Sequence, residues 1–269
     1  MVNQEEIVRY IQNIPPAPFI VKQTLDYVRV GDLTKAAKCA EEDPALKFYL
    51  KTLVNRPIYG FRNEVSDLAQ IFTILGISTA QQILYNYLLT LLAPKEWGLF
   101  KLTSQEFYDL QASLSRKWVK ILAHLNLLNH DTESAITLLP ASIIVCDALF
   151  GAYKNEVEQL RSVKALDYNT ILYRLTKMSL FDICTEIAQK WELSSIISRI
   201  VHASSGTDKG IDEQEKILAK WMHLLLFYEL SQSIYVEAGL NEFIEFQIEF
   251  VTDIYESFMQ VVEYDETNR

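Results

Sequence analysis

Apolar residues recur along this chain at three- and four-residue steps, the spacing that gathers side chains on one face of an α-helix. Phe107, Leu110, Leu114, Trp118, Ile121, Leu125 and Leu128 form the longest such stripe, opened by Thr103 and Glu106 as a capping box. Shorter stripes precede it. Leu33, Ala36, Ala37 and Ala40 follow the N-cap Asp32, and Leu46, Tyr49, Leu50 and Leu53 follow Asp43-Pro44. There the acid caps and the proline takes the first helical position, where its missing N–H costs nothing. Val65, Leu68, Ala69 and Phe72 continue the pattern up to Gly76, and a further helix spans 79–92.

Beyond the longest stripe, residues 131–152 read as a helix with Pro140 in its middle, which predicts a kink or break there. Ser179 and Asp182 cap another helix carrying Ile183, Ile187, Ala188 and Trp191, and a short one runs over 195–202. Two long helices are expected to finish the chain, over 212–238 and from 241 to about 264. Gly31, the segments 55–63 and 204–210, and residues 94–98 are the interruptions; the last is taken as a subdomain boundary. No strand alternation of useful length and no internal repeat occurs, so the expected fold class is all-α.

Composition supports this. Eight Gly and seven Pro in 269 residues favour long helices with few connections, and 49% hydrophobic residues suffice for a buried core. The net charge of −10 argues against a non-specific nucleic-acid binder, since a diffuse acidic surface repels phosphates. Basic residues cluster only at Arg116, Lys117 and Lys120, on the polar side of the long helix. Cys39, Cys146 and Cys184 are isolated in apolar surroundings, which suits buried free thiols in a reducing compartment and gives no zinc-ribbon or thioredoxin spacing. The N-terminus has acids where a signal peptide needs bases. The apolar stretches 83–93 and 222–230 are too short to cross a membrane. A cytoplasmic protein without membrane attachment is expected.

Several segments, in order, resemble the HDOD family, a regulatory relative of the HD-type metal-dependent phosphohydrolases found in bacterial signalling. They are Ile14-Pro15-Pro16-Ala17-Pro18; Leu33, Ala36-Ala37 and Glu42-Asp43-Pro44-Ala45-Leu46; Leu53-Val54-Asn55; Val65-Ser66, Ala69 and Leu75-Gly76; Ala188-Gln189-Lys190-Trp191-Glu192-Leu193; and Ile200-Val201-His202. The likeness extends over about residues 5–205. It implies two helical subdomains, an N-terminal one over 1–98 and an HD-like bundle with a C-terminal helical extension over 99–269.

The resemblance also marks what is missing. Where HD hydrolases carry their His-Asp pair this chain has Pro140 and Ala141, and neither side chain offers a lone pair to a metal. The upstream histidine position falls near Ala112-Ser113, and of the later paired histidines only His202 remains, beside Ala203. A catalytic HD site needs several imidazoles and carboxylates around one or two metals to activate water. No catalytic, cofactor-binding or metal residue is therefore assigned, and no cofactor is expected. The implied role is a non-enzymatic, free-standing signalling module that binds a partner protein or small ligand. A divergent phosphohydrolase and a nucleotide sensor that keeps the HD pocket for binding alone are the alternatives.

Other residues carry plainer readings. His202 is expected at a helix end, favoured by the negative end of the dipole. His124 and His130 suit capping or surface roles, His223 a hydrogen-bonded core position, and Trp191 the sealing of the C-terminal bundle. The run 84–92, rich in Tyr and Leu, is expected to pack between the two subdomains, with a partner-binding face as the alternative. Residues 237–269 hold nine acids and one base, a net −8. Among them Glu242, Glu245, Glu249, Asp253 and Glu256 would share one helical stripe opposite Ile244, Ile248, Val251, Tyr255, Phe258 and Val262. That stripe is either solvated or a docking face for a basic partner.

Overall fold

The computed structural model describes residues 2–14, 18–55, 63–191, 193–207 and 210–263, apart from the side chains of His130, Asp131 and Glu263. Among these residues every regular element is a helix. The predicted loop over 55–63 lies mostly outside the described residues. Contacts divide the chain into two compact units, Pro15–Leu91 and a larger one made of Met1–Ile14 with Leu92–Arg269. The division thus falls a few residues before the expected position 98, and the first helix groups with the larger unit.

The smaller unit contains α2 (Phe19–Arg29), α3 (Leu33–Ala40), α4 (Pro44–Val54) and nearly all of α5 (Leu68–Leu92). Asp32 accepts from the Lys35 N–H, and Asp43 from the N–H groups of Ala45 and Leu46, so both predicted N-caps are made. Asn55 ends α4 and spans to Val65, its amide nitrogen donating to the Val65 carbonyl at 2.9 Å and its oxygen accepting the Val65 N–H at 2.8 Å. Gly76 interrupts α5 with φ +68°, a left-handed backbone angle that favours glycine. The 84–92 run is largely buried; Arg29 donates to the Tyr85 hydroxyl at 2.8 Å, and Tyr49 packs on Tyr87.

In the larger unit α1 (Gln4–Asn13) buries Ile7 and Ile11. The Lys190 ammonium donates to the Gln12 carbonyl at 2.9 Å, and the Tyr153 hydroxyl donates to Glu6 at 3.2 Å. The long stripe becomes α6 (Ser104–Leu125), with Thr103 and Glu106 closing the capping box. Asn126 stops it in the left-handed region, so Leu128 lies beyond the helix and is 51% exposed instead of extending the stripe. Trp118 is fully buried, and its indole N–H donates to the Thr132 carbonyl at 2.6 Å.

The segment around Pro140 breaks as expected. α7 (His130–Ala135) gives way to a 3-10 turn, Ile136–Leu138, and α8 (Leu139–Gly151) restarts with Pro140 in its first turn. Residues Thr132–Gly151 are long and apolar enough to cross a membrane, which the sequence reading missed, but 83% of their most apolar 18-residue stretch is buried within the protein. α8 packs against α11 (Leu180–Lys190) and the 3-10 turn. α9 (Lys154–Lys164) and α10 (Tyr168–Thr176) lie between, and α12 (Ser195–Ala203) packs on α11. Trp191 caps α11 and is buried beside it, as expected of a sealing residue.

The chain's end departs most from expectation. In place of two long helices there are α13 (Glu213–Leu230), α14 (Ser233–Ala238), a 3-10 turn Leu240–Phe243, an extended linker, α15 (Ile248–Val251) and α16 (Tyr255–Glu263). Gly239, at φ +86°, ends α14. The helical path is broken where two aromatics, one closing the 3-10 turn and one in the linker, are claimed from two directions. Phe243 stacks on Tyr168 and meets Phe100 edge-on, while Phe246 stacks on Phe227 at 4.2 Å between centroids. The acidic stripe therefore does not exist as one face. Glu242 pairs with Arg161, Asp253 pairs with Lys220 at 2.6 Å, and Ile248 is 64% exposed.

Candidate functional site

The place to look for chemistry is the start of α8, where Pro140 and Ala141 stand. Both are buried, and so are Leu139, Ser142, Ile143, Ile144, Val145 and Cys146. A helix buried on all sides presents no polar rim to a substrate. Its hydroxyl neighbours are turned inward: Thr137 donates to the Ser134 carbonyl and Ser142 to the Leu139 carbonyl, both at 2.7 Å. These local bonds satisfy the hydroxyls within their own turns.

The thiols here are held protonated. Cys184 on α11 donates to the Leu138 carbonyl at 3.3 Å, and burial pushes its pKa up to about 12. Burial raises Cys146 well above its ordinary value too, with Cys184 and Asp147 adding to the shift. The thiolate is the nucleophile and the metal ligand, so neither cysteine is suited to either task at neutral pH.

One carboxylate lies in this apolar helix, and the sequence reading passed over it. Asp147 is buried and accepts three backbone N–H groups, from Gly98 at 2.8 Å, Leu99 at 2.8 Å and Phe100 at 3.0 Å. A lone acid within Ile-Ile-Val-Cys-Asp-Ala-Leu was the available signal, because a buried charge must be compensated. Its capacity is spent on holding residues 98–100.

Among the described residues the histidines do not converge. His202, at the end of α12 as expected, is 51% exposed on its side chain and sits 3.2 Å from Asp182 Oδ1. The other oxygen of Asp182 accepts from the Ser179 N–H and hydroxyl, at 2.7 and 2.8 Å, as the capping box requires. His124 is exposed near the end of α6 with its ring 5.6 Å from Trp221. The side chain of His130 lies outside the described residues. His223 is buried in α13 and hydrogen-bonded at both nitrogens, a core position as its sequence context implies. Ala112 is exposed on α6 and Ser113 partly so; the buried polar positions of that helix are Gln111 and Ser115. The stretch to which the family resemblance assigns the upstream histidine thus lies toward the outer face of α6. Among the described residues no three His, Cys, Asp or Glu side chains are grouped to hold a metal ion.

The expected basic cluster is also altered. Lys117 forms an ion pair with the buried Glu229 and lies 4.6 Å from the centre of the Tyr228 ring, so its charge is neutralised inside the bundle. Glu229, in the apolar end of α13, was not anticipated. Burial, aided by the negative charge of Glu229, raises the pKa of Tyr235.

Comparison with known proteins places this arrangement. No curated protein matches the chain in sequence. Among solved structures, an HDOD domain protein of unknown function from Geobacter sulfurreducens aligns over 97% of this chain and 96% of its own, at 14% identity and a TM-score of 0.65. A Shewanella amazonensis SB2B protein named "Putative phosphohydrolase" aligns over 96% and 97%, at 13% identity and a TM-score of 0.63. A second from that organism, named "Putative metal-dependent phosphohydrolase", covers 96% and 98% at 15% identity with a TM-score of 0.50. At such identities the likeness is one of fold. The sequence adds the family: the HDOD domain model matches residues 15–206, and the chain belongs to the HDOD domain family.

Proposed function

We propose that this HDOD protein is a non-enzymatic regulatory module of bacterial signal transduction, acting in the cytoplasm by binding a partner protein or a small ligand. The observation that carries the reading is the start of α8. Pro140 and Ala141, two side chains without lone pairs, stand in the buried start of that helix, where the family resemblance assigns the His-Asp pair of the HD hydrolases. A divalent ion bound through one imidazole is not held in competition with water, and His202 is committed to Asp182. Hydrolysis by this fold would need ligands that the described residues do not bring together. The net charge of −10 favours partners other than nucleic acid.

Metal analysis of the purified protein, paired with hydrolysis assays on cyclic and guanine nucleotides, tests this directly. The expected result is no stoichiometric transition metal and no turnover. One tightly bound metal per chain, whose removal abolishes phosphodiesterase activity, would overturn the reading in favour of a divergent phosphohydrolase. Saturable nucleotide binding without turnover would instead identify the small ligand.

A further inference from the structure

We infer that His223 is a proton-operated latch that holds the linker 244–247 and α15 against the bundle and releases them on acidification. The geometry is specific. The imidazole is buried, with Nδ1 2.8 Å from the Ser204 carbonyl oxygen and Nε2 3.1 Å from the Gln247 backbone nitrogen. A carbonyl only accepts and a backbone N–H only donates, so the ring must carry its proton on Nδ1 and leave Nε2 bare. One neutral side chain thereby bridges two segments that are not otherwise regular, the turn after α12 and the linker before α15.

A second proton has no place in this arrangement. It would put an N–H on Nε2 facing the Gln247 N–H, turning a hydrogen bond into a donor–donor clash. Nor can the linker slide aside locally, because Gly206 already lies against Gln247; a Cβ there would meet Gln247 Cγ at 2.9 Å.

The surroundings offer a cation little. Phe181 of α11 and Phe246 of the linker stack on the ring at 6.4 and 6.0 Å, and Phe250 of α15 meets it edge-on at 6.0 Å. None of these groups is ionisable. On the neighbouring walls Lys220 of α13 pairs with Asp253, Lys117 of α6 with Glu229 of α13, Arg199 of α12 with Glu215 of α13 and His202 of α12 with Asp182 of α11, while Glu245 of the linker and Glu249 of α15 are exposed; Lys220 also lies 5.9 Å from the Phe250 ring centre. α16 presents Phe258 to Trp221 and Tyr228.

Burial accordingly lowers the pKa of His223 from its ordinary 6.5. The closed state binds fewer protons than an open state in which the ring is solvated, so closure is fully favoured above pH 6.5. It weakens as pH falls from there toward the lowered value, by up to about tenfold per pH unit for one proton. Opening would further uncover Phe227, Phe246 and Phe250, which are half-buried in the closed arrangement.

Hydrogen exchange of the full chain, corrected for intrinsic rates, is the test. In the wild type, amides of 244–251 should lose protection between pH 7.5 and pH 5.5 while those of α6 keep theirs. His223→Gln supplies a donor for Ser204 and an acceptor for Gln247 but cannot titrate, and should stay protected at both values. Unchanged protection of 244–251 in the wild type, or the same pH response in His223→Gln, would overturn the latch. If that variant does not fold, nuclear magnetic resonance of the wild-type imidazole decides. Protonation of His223 with no accompanying shift in the 244–251 amides is equally fatal.

Discussion

Gly98 and Gly151 touch backbone to backbone: a Cβ built on either would lie 3.2 Å from the Cα of the other. Neither has a left-handed φ, so the close approach, not the conformation, requires glycine at both. The contact is fixed by Asp147, one turn earlier on α8, which grips the N–H groups of residues 98–100. Gly151→Ala should therefore destabilise by about 1–3 kcal/mol, since the neighbouring strand of chain cannot retreat. Asp147→Ala should cost on the order of 3 kcal/mol or more by leaving three donors unmet. With the grip gone, the added methyl should be tolerated, so the double variant is expected to be clearly less than additive in urea denaturation. Simple additivity would show that the two features act independently.

The Lys117–Glu229 pair gives a contrast between single and double changes. Lys117→Met leaves Glu229 charged and buried, at an expected cost of about 3–5 kcal/mol. Replacing both by Met should recover most of that loss, because an apolar pair of similar volume avoids the desolvation. A double variant as unstable as the single would mean that packing around Tyr228, not charge, sets the cost.

In α5, Gln81 is fully buried and neither polar atom of its amide has a hydrogen-bond partner. Such a group carries a desolvation penalty of about 1–3 kcal/mol without return. Gln81→Leu, close in size, should raise the melting temperature. A fall would show that the amide is satisfied in solution.

The thiols should be inert. Cys146 and Cys184 are buried and protonated, and Cys39 is buried with its sulfur 3.4 Å from the Gln23 amide oxygen. Titration with a thiol-reactive dye is expected to find no fast-reacting group in the native protein and three after denaturation. A rapid reaction traced to Cys146 or Cys184 in native protein at neutral pH would contradict the raised pKa values of that pair.

Much of this fold could be read in the sequence because its signals are local. Asp32, Asp43, Thr103 and Ser179 cap where their spacing says, and Gly76 and Pro140 interrupt their helices as their backbone chemistry requires. The C-terminal third resisted for the opposite reason. Residues 241–264 keep a helical period on paper, but Phe243 and Phe246 find ring partners only by leaving it, and that choice depends on Tyr168 and Phe227 far away in sequence. The acidic stripe failed with the helix that would have carried it. At the site, the residue types at Pro140 and Ala141 were legible in the sequence, whereas the role of Asp147 was hidden, because nothing near position 147 announces that residues 98–100 will come to it.

The apolar span Thr132–Gly151 has a consequence for how the protein is made. Its cover comes in large part from α11, which begins at Leu180 and is synthesised only after α8 is complete. Until then the emerging chain displays a segment with a mean hydropathy of 1.8, long and apolar enough to cross a membrane although it carries Glu133 and Asp147. A chain truncated before α11 should be handled by the cell as an insertion substrate or an aggregate, whereas the complete chain hides the same residues. The fold's most hydrophobic helix is thus its safest part once formed and its most exposed liability during translation.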